Sequence, residues 1–158
     1  MTAAIPLASL LGILMPHVVA SSTATCPVTT AQATPFAEPS PSSPTRFWFG
    51  SESLAVLINT SGKWQGMGAD HHYRNKLFWW RRGYNGAIEQ RPALTVTGRR
   101  INGEAATANA SRATNAHSRD FGGWAMLVMM EFPAAGCWEV TGKYHGNRLS
   151  FVVEVGAL

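Results

Sequence analysis

The sequence lacks the short motifs that mark common catalytic sites. It has no Gly-x-Ser-x-Gly elbow, no His-Glu-x-x-His and no Gly-rich loop that would cradle a phosphate. Neither His-x-His nor Cys-x-x-Cys spacing occurs, so the adjacent His71 and His72 are not expected to form a metal centre. We therefore predict no catalytic residues, no metal and no cofactor.

Charge is also scarce, since only 14% of the 158 residues are Asp, Glu, Lys or Arg. Hydrophobic residues make up 46%, including six Trp and seven Phe, which is enough to form a core and excludes global disorder. From residue 46 onward the chain has all 13 basic residues and eight of the nine acidic ones, a net charge of +5. For an exported chain this favours anionic envelope polymers or lipid surfaces over nucleic acid, although a solvated basic face explains it equally well.

The N-terminal residues predict export. Residues 5–20 carry no charge, and the small residues Val18, Val19 and Ala20 precede Ser21, as in a secretory signal peptide. No Lys or Arg precedes the apolar run, so an uncleaved membrane anchor stays open as an alternative. We predict a signal peptide at 1–20, a flexible Pro/Ser/Thr-rich linker at 21–45 and one domain at 46–158. The mature chain is then extracytoplasmic and has no transmembrane helix.

Within that domain the hydrophobic pattern is that of strands, and no segment shows a helical period with caps at both ends. Short apolar or alternating runs are separated by Gly, Asn and Pro. We predict seven strands, at Arg46–Phe49, Leu54–Asn59, Lys76–Arg81, Leu94–Arg99, Trp124–Phe132, Cys137–Lys143 and Leu149–Val155. Such a series is typical of an antiparallel β-sandwich, and apolar residues on both faces make residues 124–132 a central strand.

The last two strands form a predicted hairpin with one buried face. Alternation places on that face Trp138, Val140, Phe151, Val153 and Val155. Tyr144 to Asn147 make the turn, and Gly146 and Asn147 are expected to take positive φ.

The segments Cys26-Pro-Val-Thr, Trp79-Trp-Arg and Gly136-Cys-Trp-Glu-Val-Thr-Gly resemble an uncharacterised family of small secreted bacterial proteins. The corner at Pro133–Gly136 that leads into the hairpin is also similar to immunoglobulin-like domains. The resemblance implies an immunoglobulin-like sandwich and secretion, without an activity. The polar stretch 104–119 departs from that compact pattern, which predicts an inserted loop.

Cys26 and Cys137 are the only two cysteines. An even number in an exported chain favours a disulfide, and alternation puts Cys137 on the strand face opposite Trp138, where the linker could reach it. Two alternatives remain, a lipid on Cys26 after signal cleavage and a pair of free thiols.

Trp80, Arg81 and Tyr84 are the candidate ligand-binding residues. Trp79 and Trp80 point to opposite faces of a strand, so at most one of them belongs to the core. An exposed Trp beside Arg81 and Tyr84 could stack on a sugar ring or pack against a protein, although core filling explains most Trp residues. We expect Trp124 and Trp138 to fill the core.

Three functions follow from these observations. The first is a non-catalytic extracytoplasmic protein that binds a cell-envelope component or a partner protein. The second is a carbohydrate-binding module that uses exposed aromatic residues. The third is a secreted hydrolase whose site is not recognisable in sequence, with His117 between Glu104 and Asp120 as a candidate.

Overall fold

A computed structural model describes residues 25–31, 39, 43–66 and 68–156 of the chain. These residues form an all-β protein, and their only helical segment is a 3₁₀ turn at Arg119–Phe121. The predicted signal peptide and most of the predicted linker lie outside the described residues.

The described residues form ten strands, and all seven predicted strands are among them. In chain order they are β1 Arg46–Ser51, β2 Leu54–Asn59, β3 Lys63–Trp64, β4 Tyr73–Trp80, β5 Thr95–Arg100, β6 Thr107–Ala110, β7 Thr114–Ser118, β8 Gly123–Phe132, β9 Gly136–Tyr144 and β10 Asn147–Val155. Arg81 lies just after β4 and not within it.

The strands follow one path in the order β1-β2-β4-β8-β6-β5-β9-β10-β3, with β7 also pairing with β8. All pairs are antiparallel except β10 with the two-residue β3. β6 pairs with β8 on one side and with β5 on the other, so it joins two curved layers into a half-barrel. β8 lies between β4 and β6–β7, which confirms it as a central strand.

The polar stretch 104–119 is not an inserted loop, and this prediction was wrong. Residues 107–110 and 114–118 pair with β8 as β6 and β7. Ala113 lies between these two strands and is buried, so the chain bends there without leaving the domain. The stretch lacks the alternation of large apolar residues that marks a strand, so its sequence does not indicate these two strands. Backbone pairing with β8 holds them in place.

The main core lies between the two layers, and the predicted buried face of the final hairpin is confirmed. Trp138, Val140 and Val153 are 0% exposed, and Phe151 and Val155 are nearly so. Their partners across the core come from the other layer and include Trp79, Met126, Met130 and Phe132.

The hairpin turn differs from the prediction in one residue. His145 has a φ of 45° and Gly146 a φ of 79°, whereas Asn147 is the first residue of β10. Two central residues with positive φ are the signature of a two-residue type I′ turn, whose twist matches that of the flanking strands.

A second apolar cluster lies on the outer face of the β1-β2-β4-β8 layer. Its buried members are Trp48, Ala55, Leu57, Phe121 and Ala125, and Phe78, Trp80 and Ala116 pack against them. This layer therefore packs apolar side chains on both faces. Trp124, for which we expected a core position, is half-buried outside both clusters.

The two cysteines form a disulfide, as predicted, with Cα atoms 5.4 Å apart. The bond holds residues 26–29 beside β10, where the Thr29 N–H donates to the Val152 carbonyl and the Val152 N–H donates to Thr29 Oγ1, both at 2.9 Å. The segment thus covers part of an otherwise open sheet edge. The bridge also occupies the Cys26 sulfur to which the alternative prediction attached a lipid.

Candidate functional site

A pocket with chemically diverse side chains lies at the turn between β9 and β10. Its volume is about 170 Å³. We call it the hairpin pocket, and its lining residues are Arg81, Gly83, Tyr84, Asn85, Ile88, Glu89, Tyr144 and His145. One wall is the loop after β4 and the other is the hairpin turn.

Asn115 of β7 fixes the loop wall. Its Nδ2 donates to the carbonyls of Gly86 and Glu89, both at 2.9 Å, and its Oδ1 accepts from the Tyr84 hydroxyl. Gly86 is required here because a Cβ atom would lie 2.5 Å from the Trp124 ring. The pocket is therefore held open by a strand that sequence reasoning had assigned to a loop.

Glu89 is the electrostatic centre of the pocket. Its carboxylate accepts hydrogen bonds from the Tyr144 hydroxyl and, at 3.2 Å, from the Ala93 N–H, and it lies 3.7 Å from His145 Nε2. Burial works against ionisation, but the hydrogen bonds from Tyr144 and Ala93 and the charge of His145 outweigh it and keep the pKa of Glu89 below its ordinary value. Glu89 is thus ionised at neutral pH.

The two tyrosines stay protonated. Burial, with the nearby Glu89 charge, raises the pKa of Tyr84 to about 12, and burial with the Glu89 hydrogen bond raises the pKa of Tyr144 further. Their rings meet edge to face at 6.4 Å, and the Arg81 guanidinium lies 6.0 Å from the centre of the Tyr144 ring. The pocket therefore offers aromatic surface, a guanidinium and a carboxylate within one small volume.

The structure brings together Arg81 and Tyr84 of the three predicted binding residues. Trp80 lies elsewhere, on the outer face of β4, with its ring 6.4 Å from that of Trp48. Trp79 is fully buried in the main core, so the two adjacent Trp residues do point to opposite faces. Asn115, Glu89 and Tyr144 were missed by sequence reasoning, because no local pattern relates them to residues 81–84.

Asp70, His72 and Glu131 form a separate cluster whose ligand-type atoms lie within 4.8 Å of one another. The Arg74 guanidinium already bonds both carboxylates, with Nη1 3.0 Å from Asp70 Oδ1 and Nη2 2.7 Å from Glu131 Oε2. His72 Nδ1 lies 3.0 Å from Glu131 Oε1. The Arg74 guanidinium thus occupies the position between the two carboxylates where a metal ion would bind, and the cluster is an ion-pair network.

The histidine considered for a hydrolase, His117, packs its ring edge to face against Trp124 at 4.8 Å. Among the described side chains, Glu104 forms no hydrogen bond or ion pair with it. Within a pocket, a histidine lies near a carboxylate at His145 and Glu89, and none of the described lining residues there is Ser, Thr or Cys.

Comparisons of the chain with protein-family models, with curated proteins and with solved structures find no match. The described residues contain no helix that is long and apolar enough to cross a membrane.

Proposed function

We propose that this protein is a non-catalytic extracytoplasmic binding protein that recognises a cell-envelope component or partner protein through the hairpin pocket. The observation that carries the proposal is the position of Ile88, which lines the pocket and is 84% exposed. Arg and Tyr are enriched at the centres of protein-binding sites, and here Arg81 and two tyrosines line the pocket beside this exposed aliphatic side chain.

The pocket is held in shape before any ligand arrives. The loop is joined to β7 and to the hairpin turn by hydrogen bonds of Asn115, Tyr84 and Glu89. Because the loop is already ordered, little further conformational entropy is lost when a ligand binds. A volume of about 170 Å³ is below the roughly 300 Å³ at which drug-sized pockets begin. The pocket therefore suits one protruding group of a larger partner.

The same geometry disfavours catalysis. Both oxygens of Glu89 already accept hydrogen bonds, so its carboxylate is poorly placed to take a proton from water. The tyrosines are far from ionising at neutral pH, and no Ser, Thr, Cys or Lys is among the described residues that line the pocket. The hydrolase alternative thus has a His–carboxylate pair with no Ser, Thr or Cys nucleophile among the described lining residues.

Carbohydrate binding remains the second candidate, with Tyr84 in place of the pair Trp80 and Tyr84. Tyr144 is only 2% exposed, so of the two packed rings Tyr84 alone can stack on a sugar, which limits stacking to a single sugar ring. The disulfide supports an oxidising compartment. The relationship to small secreted bacterial proteins stays a proposal, as does the immunoglobulin-like sandwich, which the packing of two antiparallel layers supports.

The test is cosedimentation of the disulfide-bonded protein with isolated envelopes of the producing cells. We expect Ile88→Asp and Arg81→Ala each to weaken binding about tenfold, the equivalent of about 1.4 kcal/mol. Ile101→Asp is the matched control, because Ile101 is the other large exposed aliphatic side chain among the described residues, at 38%, and lies outside the pocket.

Equal losses for Ile88→Asp and Ile101→Asp would show that general surface hydrophobicity drives the association. Unchanged binding of both pocket variants would refute the proposed site. Release by a neutral monosaccharide, with loss of that effect in Tyr84→Ala, would favour the carbohydrate alternative.

A further inference from the structure

A second opening lies where β2 and β4 separate. The two strands pair only at Ala55–Trp80, Val56–Trp79 and Leu57–Phe78. β2 continues to Asn59, and β4 begins at Tyr73, without further pairing between them. The divergence leaves a cavity of about 190 Å³, here called the β2–β4 slot.

The slot passes from the outer face of the layer toward the main core. Its lining residues are Arg46, Leu57, Ile58, Asn59, Trp64, Asn75, Lys76, Leu77 and Phe78. Trp64 belongs to the core, where its ring packs edge to face on Phe132 at 5.6 Å and on Phe151 at 6.1 Å. This wall is therefore rigid, apolar and aromatic.

The charge of the slot has one sign. Arg46 and Lys76 line it, and no acidic side chain of the described residues does. Lys63, Arg74, Arg82 and Arg99 are all ion-paired, whereas Arg46 and Lys76 have no acidic partner in the described part of the chain.

Two amide side chains add donors beside the cations. The Asn75 side chain makes no hydrogen bond to any other described residue, and Asn59 Nδ2 makes a long one, 3.3 Å, to the Lys63 carbonyl. Cations and amide N–H groups on one small cavity form the donor set that binds carboxylate and phosphate oxygens.

We propose that the β2–β4 slot binds a small anionic group, a carboxylate or phosphate carried on a compact ring or chain unit. The cations and amides hold the anion, and Trp64 with the apolar lining holds its body. The hairpin pocket is not suited to bind an anion, because the ionised carboxylate of Glu89 lies within it and would repel the ligand. The proposal for the β2–β4 slot therefore does not depend on the hairpin pocket.

The experiment is an NMR titration of the isotope-labelled, disulfide-bonded protein with glucuronate, inorganic phosphate and glucose. We expect saturable shifts of the Asn75 side-chain amide and the Trp64 indole N–H with the two anions. Glucose is the neutral control and should cause none. Tighter binding of glucuronate than of phosphate would identify a ring-bearing acid, and the reverse would identify a phosphoryl group.

Lys76→Ala and Asn75→Asp should each weaken anion binding at least fivefold. Asn75→Asp keeps the side-chain size and reverses the local charge preference, and near-UV circular dichroism checks that the variant folds. Lys143→Ala is the matched control, an exposed lysine of β9 outside the slot.

Three results would overturn the proposal. They are the absence of saturable shifts at Asn75 and Trp64, equal shifts with glucose, and equal losses for the Lys76 and Lys143 variants. The last result would mean that net charge alone attracts the anion. Unchanged envelope binding by the Ile88 and Arg81 variants would refute the hairpin pocket without affecting the NMR shifts at Asn75 and Trp64. The two proposals can therefore be refuted independently.

Discussion

Gly142→Ala tests the packing of the core at its tightest point. Gly142 lies in the middle of β9, on the same face as Trp138 and Val140. A Cβ atom there would lie 2.3, 2.4 and 2.9 Å from three atoms of the Trp79 ring, where ordinary contacts are 3.4–4 Å. Trp79 is 0% exposed and packs against Phe151 at 5.9 Å, so it has nowhere to move.

Two effects of opposite sign decide the result. Replacing a strand glycine by alanine lowers the entropy of the unfolded chain and stabilises by about 0.5–1 kcal/mol. Overpacking a filled core costs about 1–3 kcal/mol. Because the overlap involves three atoms of a buried ring, we expect overpacking to win, with a net loss of about 1–2 kcal/mol and a fall in Tm of roughly 4–10 °C.

Urea melts and thermal unfolding of the oxidised protein measure this loss. Gly156→Ala is the control, since its Cβ would have Ala135 Cβ at 3.9 Å as its nearest neighbour, and we expect a change within about 0.5 kcal/mol. Trp79→Phe should reduce the cost of Gly142→Ala in a double-mutant cycle. A Gly142→Ala variant as stable as the wild type would refute the packing of Trp79 on β9.

Three further predictions concern the core, the disulfide and the change in the free energy of unfolding at acidic pH. Trp138→Ala should cost about 3–5 kcal/mol in denaturant melts because the ring is fully buried, and Trp80→Ala should cost clearly less; equal losses would contradict the assignment of strand faces. Cys26→Ser should remove about 4–5 kcal/mol, the chain-entropy value for a loop with a sequence separation of 111, and reductant should not lower its Tm further. Free thiols in the purified oxidised protein would contradict the bridge. Hydrogen bonds from His72 and Arg74 hold the pKa of Glu131 below its ordinary value, so its contribution to stability is fully present above the unfolded-state pKa and is lost as pH falls through the folded-state pKa. Arg74→Ala should therefore flatten the acid side of the stability–pH curve, and an unchanged curve would rule this network out.

The strands with strong alternation were predictable because their pattern is local. In the final hairpin every second residue is apolar, and a strand places such residues on one face regardless of its neighbours. The disulfide was predictable for a different reason, since two cysteines allow only one pairing within the chain. β6 and β7 were missed because Thr107–Ala110 and Thr114–Ser118 carry few apolar side chains and are held by pairing with β8.

The candidate sites depend on contacts between distant residues. Asn115 Oδ1 accepts from Tyr84, which is 31 residues away, and Tyr144 donates to Glu89 across 55 residues. Nothing in the sequence near Arg81 indicates that the hairpin turn will complete its pocket. The β2–β4 slot likewise results from where two strands stop pairing, which is a matter of register.

The amino-acid pattern alone was enough to specify an all-β chain, the buried face of the final hairpin and the covalent link between Cys26 and Cys137. These depend on a two-residue period and on the number of cysteines, both of which can be read without coordinates. The union of two layers through β6, the burial of Trp79 with Trp80 left on the other face, and both cavities arose from long-range pairing. Each of those depends on the free energy of packing segments that are far apart in the chain, which no local period records.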